Sequence, residues 1–236
     1  MITARKSAWF QRLFALYNRN LMARRFEGLR ARGLAQLKER RGDAPLVLYC
    51  NHSSWWDGLV AFHVSQVCAF DSYAMMEEKH LREYSFHRRL GAFSVVREIL
   101  ARRFAASLTP PSCCAARSCI MDFPQGQTAP NDVRPLQFFT GVARIVQSVG
   151  VVDAAPLALR YEFLDDFRPA AFLRVGSPER IIVDRNFQPK LLTLAFAEKL
   201  TQTLDALRGD ILARDFAAYE ELLASRRRKR KTRGNN

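Results

Sequence analysis

The chain has 236 residues, 48 % of them hydrophobic, and a formal charge of +14. That length and apolar content suit one sizeable core and exclude a disordered chain. No stretch approaches 18 charge-free apolar residues, and the N-terminus lacks a secretory apolar core, so neither a spanning helix nor a secretory signal is expected.

The charge lies at the two ends. Residues 1–41 carry eleven Arg or Lys against only Glu27 and Glu39, and seven more fall between Arg226 and Arg233, while residues 42–225 are nearly neutral. Basic ends can hold nucleic acid or an anionic membrane surface, and the C-terminal run reads equally as a solvated tail. The centre lacks the interleaved aromatic and basic pattern of nucleic-acid recognition, so no nucleic-acid partner is expected. The five cysteines, Cys50, Cys68, Cys113, Cys114 and Cys119, are odd in number and suit a reducing compartment. Cys113, Cys114 and Cys119 cluster near no histidine, so no zinc site is expected.

In chain order, residues 8–38 read as one long helix or a helical pair. Phe10, Phe14, Tyr17 and Leu21 form an apolar stripe, widened by Trp9, Leu13 and Leu16 and edged by arginines. An aromatic-rich face of this kind fits a helix lying in a membrane interface, or one packed on its own domain, or both at once. Gly42-Asp43-Ala44-Pro45 is a turn, and Pro45–Cys50 a short buried strand. Ser53 or Ser54 is placed to cap a helix over 55–67. A strand within 70–77, a helix over 80–90, an extended piece over 91–96 and a helix over 97–107 follow. Strands are expected at 118–123, 156–163, 171–175 and 181–183, and helices at 137–149, 190–206 and 211–224. Strands alternating with helices argue for an α/β fold with a mixed, largely parallel sheet flanked by helices. The expected organisation is a basic amphipathic element over 1–41, one domain over 42–225 and a basic tail over 226–236.

The segment Asn51-His52-Ser53-Ser54-Trp55-Trp56-Asp57 places an ionisable pair at a strand end, where open α/β sheets put their sites. His52 and Asp57 stand about one and a half helical turns apart. A carboxylate on one ring nitrogen would fix the imidazole's tautomer, and the other nitrogen could then take a proton from a hydroxyl. No G-x-S-x-G elbow, H-E-x-x-H pair or Walker lysine loop is present, which leaves Ser53 a poor nucleophile.

Three later segments give this pair a context. His52 to Asp57 resembles the H-x-x-x-x-D motif of the glycerolipid (lysophospholipid) acyltransferase family. Gly91-Ala92-Phe93-Ser94-Val95-Val96-Arg97 is similar to that family's second motif, Phe123-Pro124-Gln125-Gly126-Gln127 to its F-P-E-G motif, and Ala155-Pro156-Leu157-Ala158-Leu159 to its fourth. The resemblance covers roughly residues 45–165 and implies direct acyl transfer from an acyl-CoA or acyl carrier protein thioester to a hydroxyl. His52 would then be the general base and Asp57 its orienting partner. Arg97 would hold an acceptor phosphate through its planar fork, and Gly91, Phe93, Phe123, Pro124, Gln125 and Gly126 would build the acceptor site. Phe93 reads equally as a core aromatic, and Arg134 as a second cation. The oxyanion donor is a backbone N–H near Gly126 or in the His52 turn.

The resemblance implies no cofactor beyond the thioester co-substrate. Its implied partners are a lysolipid, chiefly 1-acyl-sn-glycerol-3-phosphate giving phosphatidic acid, and the acyl donor; the basic ends and the apolar stripe add the expectation of an anionic membrane surface, met on the cytoplasmic face by a peripheral or monotopic protein. Gln125 departs from the family's usual glutamate, exchanging a charge for a donor. That departure keeps open a non-phosphate acceptor such as a glycolipid or carotenoid glycoside, and an inactive lipid-binding relative.

Overall fold

A computed structural model describes residues 2–95 and 115–225. Nine strands form one sheet: β1 (Gly28–Arg32), β2 (Leu46–Cys50), β3 (Asp71–Glu77), β4 (Ala92–Val95), β5 (Ser118–Asp122), β6 (Val151–Glu162), β7 (Ala170–Val175), β8 (Glu179–Ile182) and β9 (Glu220–Ala224). Their order is β4-β3-β5-β2-β6-β7-β1-β9, with β8 pairing to the first part of β6. The half from β4 to β6 is parallel throughout. Beyond it, β7 returns antiparallel to β6, and β1 lies parallel to β7 and antiparallel to β9.

Helices cover both faces. On one side lie α1 (Ala8–Arg25), α2 (Leu34–Lys38) and α3 (Trp56–Val67), over a core that includes Met22, Phe26, Leu48, Val60, Leu157 and Leu159. The opposite side holds α6 (Gly141–Val149) and α7 (Pro189–Leu212), over Val47, Tyr49, Ile120, Ala158, Phe196 and Leu200. Neighbouring residues of β2 thus serve opposite cores, and all five are buried, as a central parallel strand requires. Two short helices, α4 (Glu78–Glu83) and α5 (His87–Leu90), flank the β4 edge. Residues 2–7 run beside that edge: the Ser94 N–H donates to the Ile2 carbonyl (2.8 Å), and the Arg5 N–H to that of Arg88 (2.9 Å). This cover occupies backbone groups that an open edge would present to another chain.

Two expected helices are strands instead. Residues 28–32 lie within the reach of the predicted N-terminal helix, yet they form β1, in the sheet between β7 and β9. Buried Leu29 and Ala31 alternate there with less buried Arg30 and Arg32, a period of two that competes with the helical stripe before it. Gly33, at φ 88°, ends the strand in a left-handed conformation, and a Cβ there would meet the Val175 carbonyl at 2.9 Å. The expected helix over 211–224 is likewise absent. Helix α7 continues to Leu212, and Glu220–Ala224 pairs with β1 as an edge strand. Pairing with a neighbour decides both segments over local preference. The helix expected over 80–90 is broken into α4 and α5, and the one expected from 137 starts at Gly141. The helix expected over 97–107, Arg97, Cys113, Cys114 and the tail 226–236 lie outside the described residues.

The apolar stripe of α1 is divided. Phe14 packs edge-on against Phe62 of α3 (5.2 Å between ring centres) and also neighbours Phe10 and Phe86. Buried Asn18 donates to the Leu59 carbonyl (2.8 Å), which ties α1 to α3. Trp9, Leu13, Leu16 and Tyr17 face outward, each more than half exposed, among exposed Arg12 and Arg19. No helix among the described residues is long and apolar enough to cross a membrane.

Candidate active site

The parallel strands β2 and β5 end side by side, and the chain leaving each one builds the site. After Cys50 the backbone turns through residues 51–55 into α3, and after Asp122 it turns through Phe123–Gly126. Asn51 anchors the first turn. Its side-chain oxygen accepts the Leu159 N–H (2.7 Å), while its amide donates to the Leu159 carbonyl (2.9 Å) and to Asn131 Oδ1 (2.7 Å). The clasp stands where β2–β6 backbone pairing stops, so buried polar groups of β6 stay satisfied.

His52 Nδ1 lies 2.9 Å from Asp57 Oδ2. The same carboxylate oxygen accepts the backbone N–H groups of Ser53 (2.6 Å) and Ser54 (2.8 Å), and Oδ1 accepts the Tyr161 hydroxyl (2.6 Å). The backbone N–H groups of Ser53 and Ser54 can only donate, so Oδ2 accepts, and a neutral imidazole meets it with its hydrogen on Nδ1. Nε2 is left with a lone pair. Asp57 is fully buried, whereas about a quarter of the His52 side chain is exposed. The pair is therefore a dry carboxylate holding a partly open imidazole. Asp57 also replaces the serine cap expected of α3: its carboxylate folds back onto the turn, and Ser54 Oγ reaches only the Trp56 N–H, at 3.3 Å.

The second turn supports the first. Gln125 Oε1 accepts the His52 N–H (2.7 Å), and the His52 carbonyl accepts the Ala129 N–H (2.8 Å). Phe123 stacks obliquely beside the His52 ring, with ring centres 4.9 Å apart. Gly126, at φ 64°, closes the turn by donating to the Phe123 carbonyl (2.9 Å), and the Pro124 carbonyl accepts the Phe139 N–H. His52, Asp57, Phe123, Pro124, Gln125 and Gly126 thus share one locality.

Gly91 and Phe93 do not join it. Ala92, Ala74, Met121 and Leu48 form one row across the sheet, so Gly91 is level with Val47, and Phe93 with Tyr49 in the opposite core. Five residues of strand, about 16 Å, separate the level of Gly91 from that of His52. Gly91 instead permits close packing at φ 112°, where a Cβ would meet the Ser72 carbonyl at 2.6 Å. Phe93 is fully buried, as its core reading expects. Arg134 is engaged by Asp205 (2.5 Å) and the Asn131 carbonyl (2.7 Å).

Several groups nearby are chemically quiet. Burial pushes the Cys50 thiol well above its ordinary range, with the Asp122 carboxyl adding to the effect, so Cys50 is no nucleophile. Ser53 Oγ is buried with no hydrogen-bond partner among the described residues, so nothing there activates it. Burial raises the Asp122 carboxyl to about 7, and its Oδ2 has no partner among the described residues. Those residues hold no cluster of His, Cys, Asp or Glu fit for a metal.

Sequence reasoning did not assign Tyr161 or Asn131 to this locality. Tyr161 sits at the end of an apolar strand and reads like any core aromatic. Asn131 lies in a polar loop with no pattern around it.

An open, largely parallel sheet carries a His–Asp pair at its carboxyl edge, and neither Ser53 nor Cys50 beside it is activated, an arrangement suited to moving a proton. The chain belongs to the acyltransferase family, whose model matches residues 28–159. The fold is similar to that of the 1-acyl-sn-glycerophosphate (LPA) acyltransferase PlsC from Thermotoga maritima, with a TM-score of 0.54 and 14 % identity over 84 % of this chain and 80 % of that one. No curated protein matches the sequence. The protein is an acyltransferase, as the motif resemblance implies.

Proposed function

We propose that the protein transfers an acyl group from an acyl-CoA or acyl carrier protein thioester to 1-acyl-sn-glycerol-3-phosphate, forming phosphatidic acid. The observation that carries this reading is the His52–Asp57 contact at 2.9 Å, which leaves Nε2 free at the open edge of the sheet. Nε2 takes the acceptor hydroxyl's proton as its oxygen attacks the thioester carbonyl carbon. The C–O bond forms, and the tetrahedral oxyanion is met by a backbone donor of the Gly126 or His52 turn. The C–S bond then breaks, and the imidazolium returns the proton to the leaving thiolate. Asp57 stabilises that imidazolium without taking the proton. No covalent acyl-enzyme and no cofactor take part. The unactivated Ser53 and the inert Cys50 support direct transfer.

The acceptor's phosphate falls to Arg97, on motif grounds. The exposed Trp9, Leu13, Leu16 and Tyr17 of α1, among arginines, suit the interface of an anionic leaflet, where both substrates reside. These side chains support reading the enzyme as a peripheral or monotopic protein of the cytoplasmic face.

A panel of lysophosphatidic acid, other lysophospholipids, glycolipids and carotenoid glycosides, offered with acyl-CoA or acyl carrier protein, tests the substrate. Lysophosphatidic acid is expected to be the preferred acceptor, and preference for an uncharged glycolipid overturns the assignment. His52→Ala is expected to abolish turnover while the protein stays folded; retained turnover removes His52 as base.

A further inference from the structure

We propose that Tyr161 is a positioning residue for the reaction, fixing through Asp57 the orientation and proton affinity of the His52 imidazole. The inference rests on His52 being the general base. Tyr161 comes from β6, 104 residues beyond Asp57 in sequence, and donates to Oδ1 at 2.6 Å. The other three donors, His52 Nδ1 and the Ser53 and Ser54 N–H groups, all converge on Oδ2. Among the described residues the phenol is the one donor on Oδ1, and it fixes that end of the carboxylate against rotation that the Oδ2 bonds resist from the other side. The His52 bond is directional, so a carboxylate free to turn holds the ring loosely.

The phenol is held as firmly as the acid. Its ring lies 5.6 Å from that of Phe26, which meets Trp56 edge-on at 4.9 Å, and these rings pack on the core beneath α1 and α3. Burial, reinforced by the Asp57 carboxylate, pushes the Tyr161 hydroxyl far above its ordinary range, so it remains a donor throughout the working pH range. A permanent donor draws negative charge from the carboxylate and weakens its hold on a proton at His52. The titratable groups facing Asp57 are His52 from the turn, Tyr161 from β6 and Cys50 from β2, which burial keeps as a thiol.

Tyr161→Phe keeps the ring and removes the donor. Its kcat/KM is expected to fall about 10-fold, the scale of a hydrogen bond to a charged group. The acid limb of the kcat/KM profile is expected to move to higher pH, because the less neutralised carboxylate holds the His52 proton more tightly. The KM for the thioester is expected to stay within about 2-fold, since among the described residues the phenol hydroxyl hydrogen-bonds to Asp57 alone. Substitution of Tyr161 by 3-fluorotyrosine, a stronger donor of nearly the same shape, is expected to move the limb to lower pH, and this reading survives if the Phe variant does not fold. An acid limb identical in wild type, Tyr161→Phe and the fluorotyrosine protein overturns the inference. His52→Ala run in parallel separates the two levels: turnover in that variant removes the base itself, whereas a dead His52→Ala with an unmoved limb removes only Tyr161.

Discussion

Gln125 holds the backbone of His52: its side-chain oxygen accepts the His52 N–H at 2.7 Å, joining two turns 73 residues apart in sequence. A backbone N–H demands an acceptor, so the amide oxygen is committed to the turn. The glutamate usual at this position of the family can make the same bond. In this structure the position bears on the geometry of His52, and the departure from glutamate leaves that contact intact.

Gln125→Glu is accordingly expected to keep kcat within about 3-fold of wild type, because a carboxylate oxygen replaces an amide oxygen as acceptor. Gln125→Leu strands a partly buried N–H and is expected to cost about 10-fold in kcat. Steady-state kinetics with one acceptor and one donor measure both. Equal activity of the Leu variant and wild type contradicts the assignment.

Asn51→Ala removes three hydrogen bonds between the His52 turn, β6 and Asn131. The buried Leu159 N–H loses its partner, while the Leu159 carbonyl keeps the Asn131 amide at 3.3 Å, so a loss of about 1–3 kcal/mol is expected. Urea unfolding reads it as a lower midpoint at unchanged slope. A midpoint equal to wild type shows that the clasp adds nothing.

Asp122 gives the fold a pH dependence of known sign. Burial raises its carboxyl from the ordinary range to about 7, so between about pH 4 and pH 7 the folded state binds more protons than the unfolded one. This contribution to stability is intact below about pH 4 and declines as pH rises through 7. Asp122→Asn removes the ionisation. Relative to wild type it is expected to gain roughly 2–4 kcal/mol between pH 5 and pH 8. Melting curves at the two pH values test it, and a constant difference between the proteins refutes it.

The outward face of α1 predicts lipid binding. The protein is expected to float with vesicles containing phosphatidylglycerol, and less so as salt rises. Leu13→Glu with Leu16→Glu, both at exposed positions, is expected to weaken flotation about 10-fold or more without lowering the melting temperature. Flotation equal to wild type removes α1 from the interface.

The parallel half of the sheet was legible because its strands are short apolar runs bounded by turns, as at Pro45–Cys50 and Ser118–Phe123. The His52–Asp57 contact was legible because both residues lie within one local segment. What escaped depends on partners distant in sequence. Gly28–Arg32 becomes a strand because β7 and β9 are there to receive it, and Glu220–Ala224 because β1 is. Gly91 and Phe93 are put level with Val47 and Tyr49, below the His52 turn, by a register that no local pattern shows. Tyr161 differs from a core tyrosine only in where its hydroxyl ends, and no periodicity encodes that.

Along β6 successive side chains serve opposite faces: Leu159 and Tyr161 turn toward α1 and α3, while Arg160, paired with Asp132 (3.0 Å), lies between them on the other side. A one-residue insertion or deletion ahead of Tyr161 would offer Asp57 either Arg160 or Glu162, a cation that strips the imidazole of its counter-charge or an acid that repels its partner. A two-residue shift keeps the faces but offers Asp57 an apolar side chain, Leu159 or Phe163, so the acid at the end of β6 fixes the length of that strand to the residue.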